Sequence, residues 1–410
     1  SLKNNIIIKE SFWSFFGHAF SAIAMIAGIR AVTEYVTPTH YGQYVVFSGI
    51  ALLFFNIISG SLFQSFLRLI PEKNEDKALL LSSKLVFLLG GLAFSSLLLS
   101  FLFESNFLFL VFVFFIYFIS EHLVGLFRVL TNIKREQKKY AFFKILIAAS
   151  KPLFAVLLYL YYENDFISIL YGFSLGNLFT SFLFFGRNIF QDLRNSFQKK
   201  FYWNEFSEFF TYSKPLFFQK IFGWSINNAD KYVVAFFLGT STAGQYAPIV
   251  SLVSMLYLTA NETINIIFRP YYFKYIAMNK KTAGAKVIKT YALLLLAISI
   301  IFITIFTLFS QQIVNLVLGE DFREYYYLLP MLSIGFTFLV FGYLFETICL
   351  AYKKTWTVFK IETIAASTNL IVLPIMIYNF GINGIPFAIL CTYIAHFISG
   401  FMLTKKLLKN

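Results

Sequence analysis

Residues 288–309 read IKTYALLLLAISIIFITIFTLF. From Tyr291 onward this run carries no charge and no alternation of apolar with polar residues. A helix needs about 20 apolar residues to cross a hydrocarbon core of about 30 Å, while a barrel strand needs about 10. The run therefore has the length of a membrane-spanning helix. Comparable runs lie near 12–34, 43–66, 82–103, 107–130, 141–162, 166–187, 214–238, 247–268, 327–350, 358–379 and 383–404. Twelve helical spans are expected.

Composition agrees. Of the 410 residues, 58% are hydrophobic and 13% charged, against about 45–50% and 25% in a soluble domain. A mean hydropathy of +0.71 excludes a disordered chain and an ordinary soluble enzyme. The net charge of +14 invites a nucleic-acid reading. That reading fails because the basic residues are confined to short connectors, and a positive cytoplasmic face gives the same total. Cys349 and Cys391 lie inside apolar runs and read as small buried hydrophobes, with no disulfide framework. The chain opens on Ser1 rather than Met, so a trimmed or engineered start is expected, and no cleavable signal peptide is visible.

The connectors alternate in charge. Odd ones hold Glu34 and His40, then Glu104, then Glu163 and Asp165, then no charge, then Arg323 among acids. Even ones are basic: Arg68, Lys73, Lys77 and Lys84, then Arg128 through Lys144, then Arg194, Lys199 and Lys200, then Arg269 through Lys289, then Lys353 and Lys354. Lys405, Lys406 and Lys409 close the chain. The positive-inside rule places both termini in the cytoplasm.

Residues 11–71 can be laid over 213–273 at a constant offset of 202. Phe15-Phe16 then meets Phe217-Phe218, Phe20 meets Phe222, and Gly42-Gln43-Tyr44 meets Gly244-Gln245-Tyr246. Both tripeptides sit where a first span turns into a second. Two six-helix halves in parallel orientation follow, 1–187 and 214–410, around a central cavity. Between them, 188–213 has Phe190, Leu193, Phe197 and Phe201 at helical spacing, which suggests an amphipathic cytoplasmic helix. A plain loop is the other reading.

Three stretches carry a family resemblance: Arg30 with Pro38, Tyr41, Gly42 and Tyr44; Asn228, Asp230 and Lys231 with Leu238-Gly239, Gly244 and Tyr246; and Gly381-Ile382-Asn383-Gly384. With twelve spans in two halves, the chain resembles the Wzx-type polysaccharide flippases, O-antigen repeat-unit flippases included. These belong to the multidrug/oligosaccharidyl-lipid/polysaccharide exporter superfamily. Ile385-Pro386 departs from the small residues usual there. The resemblance implies transport of a polyprenyl-pyrophosphate-linked oligosaccharide from the inner to the outer leaflet of a bacterial plasma membrane. It also implies a cavity lined mainly by the first two spans of each half. No cofactor or metal is implied. The expected partners are the lipid-linked sugar, membrane lipids, and a polysaccharide polymerase and glycosyltransferases, with the protein itself a monomer and no nucleic acid involved.

Charge at bilayer depth costs about 2.5–3.5 kcal/mol per residue on insertion scales, so it seeks a cavity or a partner. Arg30 and Lys231, at similar depth in the two halves, are the first candidates for pyrophosphate, followed by Lys151 and Lys220. Arg binds phosphate bidentately and Lys as a point charge. Against this, Arg30 and Lys231 can snorkel, and Asp230 can neutralise Lys231. Asp230 and Glu262 are candidates for ion coupling, and Glu121 is a third acid at depth; an ion pair is the plainer reading of each. Glu346 and Glu362 read as solvated near the inner surface. His18, His122 and His396 read as packed histidines, although each can titrate. Asn56, Gln64, Asn227, Asn228, Asn261 and Asn265 offer amides that suit sugar hydroxyls, but amides also join membrane helices.

No P-loop, HExxH or Cys/His cluster is present, and no soluble segment is long enough for a catalytic domain. A membrane-embedded lipid-linked sugar transferase or polymerase remains an alternative. So does a cation-coupled multidrug exporter of the same superfamily, which the excess of intramembrane Lys and Arg disfavours.

Overall fold

The computed structural model describes residues 2–69, 76–200 and 203–409. Among these residues the only regular structure is helical. The helices are α1 (Leu2–Tyr35), α2 (Pro38–Phe55), α3 (Ser61–Leu69), α4 (Asp76–Phe103), α5 (Asn106–Ile133), α6 (Gln137–Tyr161) and α7 (Phe166–Gln198). They continue as α8 (Trp203–Leu238), α9 (Thr240–Ala277), α10 (Lys281–Val317), α11 (Leu329–Ala351), α12 (Thr355–Phe380) and α13 (Gly384–Lys409). A π-helical turn, Asn56–Gly60, joins α2 to α3, so the two form one passage. The helices thus fall one to one on the twelve apolar runs.

Among the described residues, ten segments are long and apolar enough to cross a membrane by composition alone. One of them, Thr355–Lys405, holds both α12 and α13, parted by a 3-10 turn at Gly381–Asn383. The remaining passage is α8, whose Asn227, Asn228, Asp230 and Lys231 make it the most polar of the set. The surface agrees with a hydrocarbon solvent: Phe94, Phe101, Leu102, Phe103 and Phe107 are each at least 68% exposed. In water such a patch would be a liability. The protein is a multi-pass membrane protein.

The chain divides into two compact units, Ser1–Val36 with Gln43–Ile221, and Thr37–Gly42 with Phe222–Asn410. In the first unit α6 packs on α1 and α7, while α5 packs on α4 and α7. Small residues permit this, as expected where lipid leaves no hydrophobic drive between helices. Gly17 lies on Ala141, Gly28 on Pro152, and Gly172 on Ala155. In the second unit α13 packs on α11 and α12, and α9, α10 and α11 pack mutually.

The segment 188–198 is the end of α7, which bends at Gly186 (φ 61°, ψ −171°). Leu193 is buried with Leu62, Phe63, Phe66 and Phe209, and Phe197 stacks on Phe87 at 4.0 Å. The Lys84 ammonium lies over the Phe197 ring and donates to its carbonyl, capping this helix end. The apolar face of this segment is thus docked on α3, α4 and the start of α8. The side chain of Phe190 and all of Phe201 lie outside the described residues. Residues 203–213 are already α8.

The six residues Thr37–Gly42 carry the start of α2 into the second unit. There Gly42 meets the start of α9 backbone to backbone. A Cβ on Gly42 would fall 1.8 Å from the Thr240 carbonyl oxygen, and a Cβ on Gly244 would fall 1.8 Å from that of Pro38. The two contacts are reciprocal. Tyr41 seals the crossing edge-on against Phe322, and Gln245 donates to the Asp321 carbonyl at 2.9 Å.

Any side chain at either glycine must therefore push backbone from backbone. Gly42→Ala and Gly244→Ala should each destabilise the protein by about 1–3 kcal/mol, the range for overpacking a tight contact. Gly90→Ala, where a Cβ meets open space, should instead leave stability unchanged or raised. Thermal unfolding of the three variants in one detergent checks the contrast.

Candidate functional site

The second unit encloses a cavity of about 320 Å³. It is lined by Asn227, Asn228, Asp230 and Lys231 of α8, and by Ser251 and Ser254 of α9. Tyr343 of α11, Asn369 of α12, and Thr392 and Tyr393 of α13 complete the polar lining, with Ile226, Val250, Leu258, Phe336 and Ile389 as the apolar part. Five helices thus converge on one pocket.

The polar residues of α8 recur at one-turn spacing, which turns them to one side of the helix. Asn227 donates to the Gly223 carbonyl at 2.7 Å and Asn228 to that of Trp224 at 3.2 Å. Asp230 is 5% exposed and accepts the Tyr246 hydroxyl at 2.7 Å. Lys231 donates to the Asn227 carbonyl at 3.1 Å and lies 3.4 Å from Asp230. The cavity therefore holds one cation and one anion that touch only at the limit of a hydrogen bond. Asn369 fixes α12 to α8 by donating to the Ser225 carbonyl at 3.0 Å.

The first unit holds a contrasting pair. Lys151 of α6 donates to Glu121 of α5 at 2.6 Å, and Asn177 of α7 donates to the same oxygen at 2.8 Å. Asn177 also reaches Ser120 at 3.1 Å, and Ser150 meets Thr180 at 2.9 Å. The Lys151 ammonium sits 5.9 Å from the Phe173 ring centroid. Three helices are joined by one ion pair, its carboxylate buried and its ammonium partly so, whose partners are bound on both sides.

Of the predicted pyrophosphate ligands, the structure thus places Lys231 in the cavity and Lys151 in this pair. Arg30 lies near the end of α1 and pairs with Glu34 at 2.6 Å, both more than one-third exposed. Lys220 is half-buried on α8, three turns before Lys231. Among the predicted amides, Asn227 and Asn228 line the cavity. Asn56 begins the π turn, Gln64 is exposed on α3, and Asn261 accepts the Tyr291 hydroxyl at 2.9 Å. Asn265 keeps a buried carbonyl oxygen without a hydrogen bond. Asp230 lies in the cavity, while Glu262 is exposed on α9.

Three expectations are corrected. Glu362 is buried and Glu346 is paired with His396 at 2.8 Å, because both face helices of their own unit rather than water. Cys349 is buried, but Cys391 is exposed, since α13 turns that side outward. Of the other histidines, His18 contacts the Lys144 ammonium at 2.6 Å, and His122 meets Ser59 of the π turn at 2.9 Å.

Several cavity residues escaped the sequence reading. Tyr343 and Tyr393 look like any aromatic in a chain with 25 tyrosines and 55 phenylalanines. Tyr246, the partner of Asp230, was legible as the last residue of the recurring Gly-Gln-Tyr. Asn369 was legible too, as an amide in the middle of the apolar run 358–379.

Residues 33–327 match the family described as polysaccharide biosynthesis protein. The chain belongs to that family. No curated protein matches it in sequence. Among solved structures, the fold is similar to the lipid II flippase MurJ in its inward closed conformation. The TM-score is 0.71 at 16% identity, over 98% of this chain and 87% of that one. It is also similar to a mutant of the Vibrio cholerae MATE transporter VcmN, with a TM-score of 0.66 at 11% identity, over 99% and 97%. A MATE family multidrug resistance transporter of the MOP superfamily, inward-facing, gives 0.64 at 11%, over 96% and 94%. At these identities the likeness is one of fold.

Removing one partner of a buried ion pair costs about 3–5 kcal/mol, whereas replacing both by neutral groups of similar size is often nearly neutral. Lys151→Met and Glu121→Gln should each be strongly destabilising. The double variant should recover most of the loss. Thermal unfolding of the two single variants and the double variant measures the coupling.

Proposed function

We propose that the protein is a flippase that moves a polyprenyl-pyrophosphate-linked oligosaccharide from the inner to the outer leaflet by alternating access. The observation that carries this reading is the cavity. In a multi-pass membrane protein of a polysaccharide family, one unit encloses a polar space with a lysine, amides and hydroxyls, within an otherwise apolar helix set. An anionic headgroup bearing sugars needs such groups: a cation for phosphate oxygens, and amides and hydroxyls for sugar hydroxyls. The MurJ fold supports the reading, because that protein is named as a flippase of a lipid.

Lys231 binds phosphate oxygens in this proposal, with Arg30 as the corresponding group of the other half. Lys151 and Lys220 rank behind them. Asn227 and Asn228 meet sugar hydroxyls, Asn56, Gln64 and Asn261 take weaker parts, and Asp230 or Glu262 carries any coupling ion. The halves are 1–187 and 214–410, related by an internal repeat that the reciprocal crossing of Gly42 and Gly244 supports. The protein sits in a bacterial inner membrane with both termini cytoplasmic, an orientation supported by the charge alternation of the connectors. It works as a monomer and hands its cargo to a polymerase, after glycosyltransferases have built it. No catalytic step is assigned to it.

Deleting the gene should abolish surface polysaccharide and trap pyrophosphate-linked repeat units on the inner leaflet. Lys231→Ala, expressed at the wild-type level, should fail to complement by at least about tenfold in surface polysaccharide. Lys231→Arg should retain part of the activity, since it keeps the charge. Unchanged polysaccharide with increased sensitivity to cationic drugs would replace this reading with a multidrug exporter.

A further inference from the structure

Tyr246 is 0% exposed within the second unit, and its hydroxyl donates to Oδ2 of Asp230 at 2.7 Å. It stands on α9 one turn before Val250, which lines the cavity. The phenol therefore grips the cavity's carboxylate from behind the wall. Asp230 turns its other oxygen, Oδ1, to the Lys231 ammonium at 3.4 Å. Among the described residues, these two are the hydrogen bonds of Asp230.

The two donors compete for one carboxylate. An ammonium carries three protons. Lys231 places one on the Asn227 carbonyl at 3.1 Å, and a second only grazes Oδ1. Consecutive positions on α8 do not by themselves forbid a closer pair, because the terminal torsion of an aspartate is broad and roughly two-fold. The plane of the carboxylate is therefore set by its hydrogen bonds, and the short one goes to Tyr246. The first unit shows a closed pair in the same protein, with Lys151 held on Glu121 at 2.6 Å.

Removing the phenol oxygen removes the short bond and leaves Oδ2 buried without it. A buried acceptor stripped of its donor is costly, so the carboxylate turns to the next donor in reach. The donor already touching it is the Lys231 ammonium. The pair then closes, and the lysine is spent on Asp230.

We propose that Tyr246 is a positioning residue of the anion site: by holding Asp230 it keeps the Lys231 ammonium open to a phosphate oxygen. Tyr246 touches no cargo in this arrangement and acts through Asp230 alone. The assignment of phosphate to Lys231 rests on the function proposed above; the restraint of Asp230 by Tyr246 does not. The inference also gives the tyrosine of the second Gly-Gln-Tyr a task separate from that of its glycine. Gly244 admits the backbone of Pro38, and Tyr246, two residues on, reaches the charge pair.

Two measurements on full-length protein test it. The first uses no anion. Lys231→Met, Asp230→Asn and the double variant are unfolded by heat in one detergent, with Tyr246 and with Tyr246→Phe; where Lys231→Met does not fold, Lys231→Gln takes its place. With Tyr246 present, the two single shifts should nearly add. In the Tyr246→Phe background the double variant should lose less than the sum by at least about 2 °C, the mark of a closed pair. Equal additivity in both backgrounds overturns the positioning role. The second measures binding of inorganic pyrophosphate in lipid nanodiscs. Tyr246→Phe should weaken it by about tenfold, as expected when one hydrogen bond to a charged group must be broken first. In the Asp230→Asn background, where no carboxylate can capture the lysine, the same change should have little effect. An equal loss in both backgrounds marks a merely structural tyrosine and overturns the proposal. Absence of pyrophosphate binding by the wild type overturns the phosphate reading instead, and the restraint of Asp230 is then decided by the unfolding cycle.

Discussion

A hydrocarbon solvent gives a charge nothing to bind to, so every ion inside this protein must find its counter-group within the protein. That constraint explains where the polar residues of the spans go. Glu121 is held by Lys151 and Asn177, Asp230 by Tyr246 and Lys231, and Glu346 by His396. Each cluster ties together helices that apolar packing alone would leave free to slide, because lipid tails compete for the same contacts. The helix sides turned to lipid bear Phe and Leu, and the polar sides are turned inward.

The two lysine–carboxylate pairs obey the same constraint with opposite consequences. Lys151 and Glu121 lie on different helices, 2.6 Å apart, and the same carboxylate oxygen accepts a second donor. Replacing that geometry would require moving α5, α6 or α7. Lys231 and Asp230 are neighbours on one helix. Adjacent helical residues point about 100° apart, so they do not face each other, and their 3.4 Å contact reflects it. The first pair is a fastener. The second is a pair of charges held beside each other in an open space.

Most of the fold was legible in the sequence because hydrophobic length is a direct physical signal. The run from Tyr291 to Phe309 admits a spanning helix and little else, and the same holds for the others except 214–238, where Lys220, Asp230 and Lys231 weaken the signal. The two Gly-Gln-Tyr tripeptides were legible in the sequence, but the contact between their glycines was not. Only the structure shows that Gly42 and Gly244 meet each other's backbones. Of the site, Asn227, Asn228, Asp230 and Lys231 were legible, as polar residues clustered where apolar ones belong. Tyr343, Tyr393 and Thr392 were not, since aromatic and hydroxyl side chains are tolerated at almost any depth. Glu346 and His396 are 50 residues apart in sequence. Their pairing depends on how α13 docks on α11, which no local pattern encodes.

In the function proposed above, the weakness of the contact between Lys231 and Asp230 suits the pair to a transport cavity. A lysine locked in a short, fully bound ion pair would have to lose that pair before touching a ligand, at a cost of several kcal/mol in low dielectric. A lysine with no counter-charge would be expensive to keep at that depth at all. Lys231 lies between the two extremes. Asp230 is already satisfied by the Tyr246 hydroxyl, and Lys231 rests on a backbone carbonyl and on the edge of the carboxylate. An arriving anion can therefore take the ammonium without stranding Asp230, and when the anion leaves both groups return to partners that never moved. The proposed binding and release of cargo in every cycle needs that near-balance, and the placement of an acid and a base at consecutive positions of one helix is suited to it.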